Sequence, residues 1–164
     1  MISGPIQDAI NNQIKLEIQS AYSYLAMGAY AESINLPGFA TWFRAQWHEE
    51  LGHAEKLMGI VYDRGGKVIL QGVEKPAADY ASPLDIFKQV LAHEQKVTAM
   101  INKLYEAALK ENDYATQVEI MWFIKEQVEE EKNAAGIIEQ LKMMGDSGTP
   151  LLMMDRQLAA RGGK

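Results

Sequence analysis

The apolar positions of this chain recur about every 3.6 residues over four long stretches, which predicts four amphipathic helices that pack through one face. Pro5, Pro37 and Pro83 stand at the starts of three stretches, where proline is tolerated because the first turn of a helix has unpaired N–H groups. Gly65 and Gly145 mark two of the ends, because glycine readily adopts the left-handed conformation that ends a helix. The predicted helices span residues 5–34, 37–64, 83–111 and 113–144, with a short fifth helix over 150–161.

Helices of this length need long partners beside them, and a four-helix bundle is the simplest arrangement that provides them. Residues 66–82 have the composition of a linker, and about 17 extended residues reach about 55 Å, which exceeds the length of a bundle of about 42 Å. The second and third helices can therefore run parallel. Residues 67–70 look strand-like and have no strand partner in the chain, so we expect them to pair with a second copy. The length fits one domain over residues 1–164.

Composition narrows the chemistry. The chain has no cysteine, which excludes disulfide scaffolds, iron–sulfur clusters and cysteine nucleophiles, so any metal must use nitrogen or oxygen ligands. A net charge of −6 argues against binding of nucleic acid and favours cations as partners. The apolar runs are too short to span a membrane, and the first residues lack the features of a signal peptide, so we expect a cytoplasmic protein.

Each of the four predicted long helices carries an acidic residue near the middle of its apolar stripe. Glu17, Glu50, Glu94 and Glu130 lie about 11 to 17 residues into their helices, so that packing places them at one level. Carboxylates that share a dry core repel one another, and each buried ion costs several kcal/mol. A bound multivalent cation removes that cost. Two cations remove it better, because Glu50 could bridge them while His53, one turn later, supplies a nitrogen ligand.

A single Glu-x-x-His or a single acid in an apolar stripe is weak support for a metal site, because such residues ordinarily extend their heads to water. The hypothesis therefore depends on all four acids occurring at matched depths. Tyr24 follows Glu17 on the same face and is either a core phenol or an electron donor beside the metals.

Other polar residues lie close to these positions in the sequence. Glu126 and Glu129 belong to an acidic run that is either a solvated face or, with Glu49, a third and weaker cation position. His48 and His93 point away from the apolar stripes, so we expect both at the surface.

A set of metal-ligating residue types is distributed over four successive long helices: Glu17, Glu50-x-x-His53, Glu94 and Gln127-x-x-Glu130. With the long crossover and the short fifth helix, this pattern resembles the haem-free ferritins of bacteria and archaea over nearly the whole chain. The resemblance implies an all-α fold: a ferritin-like four-helix bundle with a long crossover between the second and third helices and a short C-terminal helix.

The resemblance also implies two iron positions in each subunit that share Glu50. Glu17 and His53 would complete the first position, and Glu94 and Glu130 the second.

Four further roles come from the same resemblance. Gln127 would lie beside the second iron, and Tyr24 would be the tyrosine of the di-iron centre. A third iron position would be formed by Glu49, Glu126 and Glu129.

The function implied is that of a ferroxidase that oxidises iron(II) with dioxygen or peroxide and stores iron(III) mineral in a hollow shell of 24 subunits. The tail over 150–161 would line a four-fold pore. Bacterioferritins, which are similar, carry a second Glu-x-x-His and a haem-binding methionine. Here Gln127-x-x-Glu130 and Gly52 occupy the matching positions, so haem is not expected.

Two other hypotheses stay open at this point. The chain could be a non-enzymatic helical scaffold whose acids are solvated at an interface, or a di-iron oxidase that acts on another substrate. Anaerobic binding of about two iron(II) ions per chain would favour an enzyme, whereas a monomer without iron uptake would favour the scaffold.

Overall fold

The structure is a computed structural model that describes residues 1–145 and 148–160. Five helices form in it: α1 (Gly4–Ser33), α2 (Pro37–Asp63), α3 (Pro83–Lys110), α4 (Tyr114–Met144) and α5 (Gly148–Ala159). The all-α prediction is confirmed, with each boundary of the long helices within one residue of its predicted place. The predicted end of the fifth helix, at 161, lies outside the described residues. No described helix is long and apolar enough to cross a membrane.

Three of the long helices begin on a side-chain cap supplied by their own sequence. The hydroxyl of Ser3 accepts a hydrogen bond from an N–H of the first turn of α1, and the hydroxyl of Ser82 does the same for α3. The carboxylate of Asp113 accepts from Thr116 at the start of α4. Each cap satisfies one of the N–H groups that a helix start leaves unpaired.

Helix α2 begins differently, because its cap comes from the far end of the chain. Leu36 precedes the helix and offers no side-chain cap. Instead the N–H of Phe39 donates a 2.9 Å hydrogen bond to Oδ1 of Asp155 on α5. The two helices approach so closely that a Cβ atom added to Gly38 would lie 1.7 Å from the carbonyl oxygen of Asp155. Glycine is therefore required at this contact.

Two apolar clusters fill the bundle, one toward each end. One contains residues from 24–31 of α1, 39–43 of α2, 86–90 of α3 and 134–141 of α4, together with α5. The other contains residues from 6–14, 57–61, 97–104 and 120–123 of the same four helices. Along the chain, α2 and α3 run from the first cluster to the second, while α1 and α4 run the opposite way. The predicted parallel arrangement of the second and third helices is thus confirmed.

The crossover between α2 and α3 is held by amide side chains of α1. Asn11 donates from Nδ2 to the carbonyl of Lys67 at 3.1 Å, and its Oδ1 accepts from the N–H of Ile69 at 3.0 Å. Gln19 pairs in the same two-sided way with the backbone of Glu74. Residues 67–70 form no strand in the described chain. Two of their backbone groups are nevertheless satisfied within the chain, because the amide of Asn11 bonds to them as a neighbouring strand would. Pairing of this segment with a second copy stays a prediction.

Candidate metal centre

A layer of buried polar side chains separates the two apolar clusters. Glu17, Glu50, Glu94 and Glu130 come from four different helices, and His53 joins them from α2; none of the five is more than 5% exposed. Glu50 acts electrostatically on Glu17, and Glu94 and Glu130 act on Glu50, so the four acids lie near one another, as the sequence predicted. The layer exists because each helix places its acid between two apolar segments of similar length.

The tightest group in this layer joins α1 and α2. One donor atom from each of Glu17, Glu50 and His53 lies within 4.8 Å of the others. Nδ1 of His53 is 3.1 Å from Oε2 of Glu50, one helical turn earlier. Two carboxylates and an imidazole in a buried cluster of this size form a ligand set that divalent iron accepts.

The electrostatics of the layer favour a cation. Burial and the charge of Glu50 raise the pKa of Glu17 well above its ordinary value, and burial and the charge of Glu94 do the same to the pKa of Glu50. Oε2 of Glu17 is buried and has no hydrogen-bond partner among the described residues. A divalent cation would relieve both the repulsion and the unpaired oxygen, so the residues fit a divalent metal ion.

The carboxylates of α3 and α4 lie in the same layer but are held by hydrogen bonds. The hydroxyl of Tyr24 donates to Oε1 of Glu94 at 2.5 Å, and Nε2 of Gln127 donates to Oε2 at 3.0 Å. Neither Glu94 nor Glu130 belongs to the tight group within 4.8 Å, although the charges of both contribute to the raised pKa of Glu50.

Gln127 presents its nitrogen, not its oxygen, to Glu94. Nε2 contacts the backbone carbonyl of Glu94 at 3.2 Å as well as its carboxylate, and it lies 3.4 Å from the hydroxyl of Thr98. Gln127 therefore acts in this arrangement as a donor that orients Glu94.

A second group of potential ligands shares His53 with the first. One atom each from Glu49, His53 and Glu126 lies within 4.8 Å of the others, and both acids are half-buried. The structure thus brings together two of the three residues predicted for a third position. Glu129 is exposed and is absent from this group of described residues.

Two neighbours of the layer differ from the expectations above. His93 is not at the surface: it is half-buried, and its Nε2 lies 2.6 Å from Oγ of Ser20, because α1 packs over that side of α3. Gln13 was missed, although it is buried and donates to Glu17 at 2.7 Å. Its position one turn before a stripe acid was the signal that could have revealed it. His48 is exposed, as predicted.

The fold and the site together define a four-helix bundle with a carboxylate and histidine centre between its apolar halves. The family model described as "Ferritin-like domain" matches residues 7–144. The chain belongs to the ferritin family, and the resemblance to haem-free ferritins is confirmed.

Relatives and solved structures agree with that assignment. The chain is 38% identical to a bacterial non-heme ferritin of Bacteroides fragilis, covering 98% of this chain and 100% of the relative. It is 37% identical to a bacterial non-heme ferritin of Staphylococcus aureus, covering 98% and 97%. A crystal structure of an open pore ferritin from the hyperthermophilic archaeon Archaeoglobus fulgidus is 45% identical, with a TM-score of 0.96 over 97% of this chain and 98% of that one.

Proposed function

We propose that this chain stores iron and that its buried centre is a ferroxidase, which binds iron(II) and oxidises it with dioxygen or peroxide. The observation that carries the proposal is the convergence of Glu17, Glu50 and His53 within 4.8 Å in a layer closed to solvent. Membership of the ferritin family and the names of the relatives support iron as the metal that is bound and stored.

The residues divide between two iron positions. Glu17, Glu50 and His53 hold the first iron(II), and Glu50 also faces the second, which Glu94 and Glu130 complete. The raised pKa of Glu50 supports this shared role, because it arises from burial and from the charges of Glu94 and Glu130.

Protons move when iron binds. Since burial raises the pKa of both Glu17 and Glu50, each holds its proton more strongly than an exposed carboxyl does, and iron(II) must displace it. Each iron(II) then gives one electron to the oxidant. Tyr24 acts at the second position through Glu94, and its phenol is a redox-active side chain that hydrogen-bonds to this proposed ligand. Gln127 orients the same carboxylate from α4.

The third iron position lies toward solvent. Glu49 and Glu126, both half-buried, lie close to His53, and the exposed Glu129 would complete this position. Half-exposed carboxylates bind iron more weakly than a buried set, which suits transfer between the centre and a mineral core.

We propose further that the chain assembles into a shell of 24 subunits that holds iron(III) mineral, in the cytoplasm. Similarity over almost the full length of the Archaeoglobus ferritin supports such a shell. Its formal charge would be roughly −144, which attracts cations and predicts slower iron uptake at high salt.

An anaerobic titration of metal-free protein with iron(II) tests the proposal. We expect about two tight sites per chain and, after oxygen is admitted, a fast initial oxidation that Glu130→Ala slows by at least about 10-fold. Glu139→Ala is the matched control, because Glu139 lies on the same helix, is exposed and pairs only with Lys142 among the contacts seen for it. An unchanged initial rate of iron(II) oxidation in Glu130→Ala would overturn the proposed ferroxidase function. A monomer that takes up no iron would overturn it as well.

A further inference from the structure

Two buried glutamines contact the proposed ligands without being ligands themselves. Gln13 is 1% exposed and Gln46 is 0% exposed. Nε2 of Gln13 donates to Oε1 of Glu17 at 2.7 Å, and Nε2 of Gln46 donates to Oε2 of Glu130 at 3.0 Å. Both lie deep in the polar layer, where every hydrogen bond sets the direction of a side chain.

We propose that Gln13 and Gln46 are positioning residues, each of which holds one oxygen of a ligand carboxylate and so orients that carboxylate toward iron(II). This inference rests on the proposed ferroxidase function. Its clearest case is Glu17, whose Oε1 is held by Gln13 while Oε2 is buried without a partner among the described residues. Gln13 thus leaves one defined oxygen of Glu17 for the metal.

An amide suits this task better than the alternatives. A lysine or arginine at position 13 or 46 would also donate, but its charge would neutralise the carboxylate and compete with the incoming cation. An apolar side chain would leave a buried carboxylate without a donor and free to rotate. Glutamine fixes the direction of the carboxylate and keeps its negative charge, as donors behind metal ligands do in general.

The two glutamines act on different iron positions. Gln13 contacts an acid of its own helix, Glu17, which lies one turn later in α1. Gln46 lies one turn before Glu50 in α2, but it contacts Glu130 on α4, across the bundle. Glu17 belongs to the first proposed iron position and Glu130 to the second. Loss of each amide should therefore weaken a different binding step.

Anaerobic titration of metal-free protein with Co²⁺, followed by the visible absorption of the bound ion, separates these steps. Glu17→Ala and Glu130→Ala first identify which step belongs to which position. We expect Gln13→Leu to weaken the step that Glu17→Ala removes by about 10- to 100-fold, and Gln46→Leu to weaken by a similar factor the step that Glu130→Ala removes. The absorption spectrum of the affected step should change as well, because the ligand geometry changes.

Ser20→Ala is the matched control, because Ser20 is fully buried on α1 but bonds to Leu16 and His93, which are not proposed ligands. Both binding steps should be unchanged in it. If a leucine variant fails to fold by circular dichroism, Gln13→Met and Gln46→Met repeat the test with unbranched side chains of similar length.

Three results would count against the inference. Folded variants whose Co²⁺ affinities in both steps lie within about twofold of the wild-type values would overturn this inference and leave the proposed ferroxidase function standing. Equal weakening of both steps by each variant would show general loosening of the bundle and would overturn it too. A wild-type chain that binds no Co²⁺ would overturn the proposed ferroxidase, and this inference with it.

Discussion

The hydroxyl of Tyr24 on α1 donates a 2.5 Å hydrogen bond to Oε1 of Glu94 on α3. Burial and the charge of Glu94 raise the pKa of Tyr24 well above its ordinary value, so the phenol keeps its proton and stays a donor. The second oxygen of Glu94 accepts from Gln127 on α4. The direction of this carboxylate is therefore fixed by two neighbouring helices.

Tyr24→Phe removes one of the two donors to Glu94. We expect metal to bind about 10-fold more weakly at the proposed second iron position, because the carboxylate loses part of its orientation. Anaerobic calorimetric titration with Zn²⁺ measures the effect without oxidation. Tyr30→Phe is the control: it lies on the same helix, and its hydroxyl binds the carbonyl of Tyr80 instead of a ligand. Equal Zn²⁺ affinity of Tyr24→Phe and the wild type would contradict the expectation.

The raised pKa of Glu17 makes the stability of the metal-free protein depend on pH. The folded state holds this proton more tightly than the unfolded chain, whose carboxyl titrates near 4.5. The resulting stability is present in full below about that pH and is lost as the pH rises through the higher folded value. Glu17→Gln removes the charge, so we expect it to be more stable than the wild type at neutral pH, by more than about 1 kcal/mol.

Urea unfolding of chelator-treated protein at several pH values and one protein concentration measures this difference. The advantage of Glu17→Gln should shrink toward acid pH, where the wild-type carboxyl is protonated. Glu139→Gln, which alters an exposed acid, should follow the wild type at every pH. An advantage that does not vary with pH would disprove the role assigned to this charge.

Asp155→Ala removes the acceptor for the first turn of α2. We expect a loss of about 1 kcal/mol in the free energy of unfolding, the usual effect of losing a helix cap, and faster hydrogen exchange at the amide of Phe39. Asp155→Asn keeps an acceptor oxygen and should retain most of the protection. If Asp155→Ala and Asp155→Asn protect Phe39 equally well, the cap has no energetic role.

Asn11→Leu breaks the attachment of the crossover to α1. The N–H of Ile69 then loses its acceptor, so we expect its exchange with deuterium to quicken by about 10-fold or more, corresponding to a hydrogen bond of about 1.5 kcal/mol. Asn12→Leu is the control, because Asn12 accepts only from the side chain of Gln71 among the bonds seen for it. Unchanged exchange at Ile69 in Asn11→Leu would mean that other contacts hold the segment.

The helices were predictable because their signals are local. Pro37 and Pro83 fix helix starts, and Ser82 and Asp113 supply caps that act within three residues. The polar layer was predictable for a related reason: four acids interrupt four regular stripes, and the geometry of a helix converts sequence distance into depth. Family resemblance then assigned these acids to particular metal positions, which spacing alone did not.

The features that sequence reasoning missed depend on contacts between distant segments. Nothing near Leu36 indicates that Asp155, far along the chain, caps α2. The strand-like appearance of residues 67–70 gave no sign that the amide of Asn11 would satisfy them. His93 points off its own stripe, and only the packing of α1 against α3 buries it beside Ser20. The periodicity of the apolar residues describes one helix at a time, so it does not predict the caps, hydrogen bonds and burial that other segments provide.

The contact between Gly38 and Asp155 makes the C-terminal helix a mechanical support for α2. A single methyl group at position 38 would collide with the backbone of α5, so the tail could no longer seat against the bundle. The helix that would then fray from its first turn is the one that carries both Glu50 and His53. Heat or proteolysis that detaches the last helix should therefore release the first turn of α2 before the bundle itself melts.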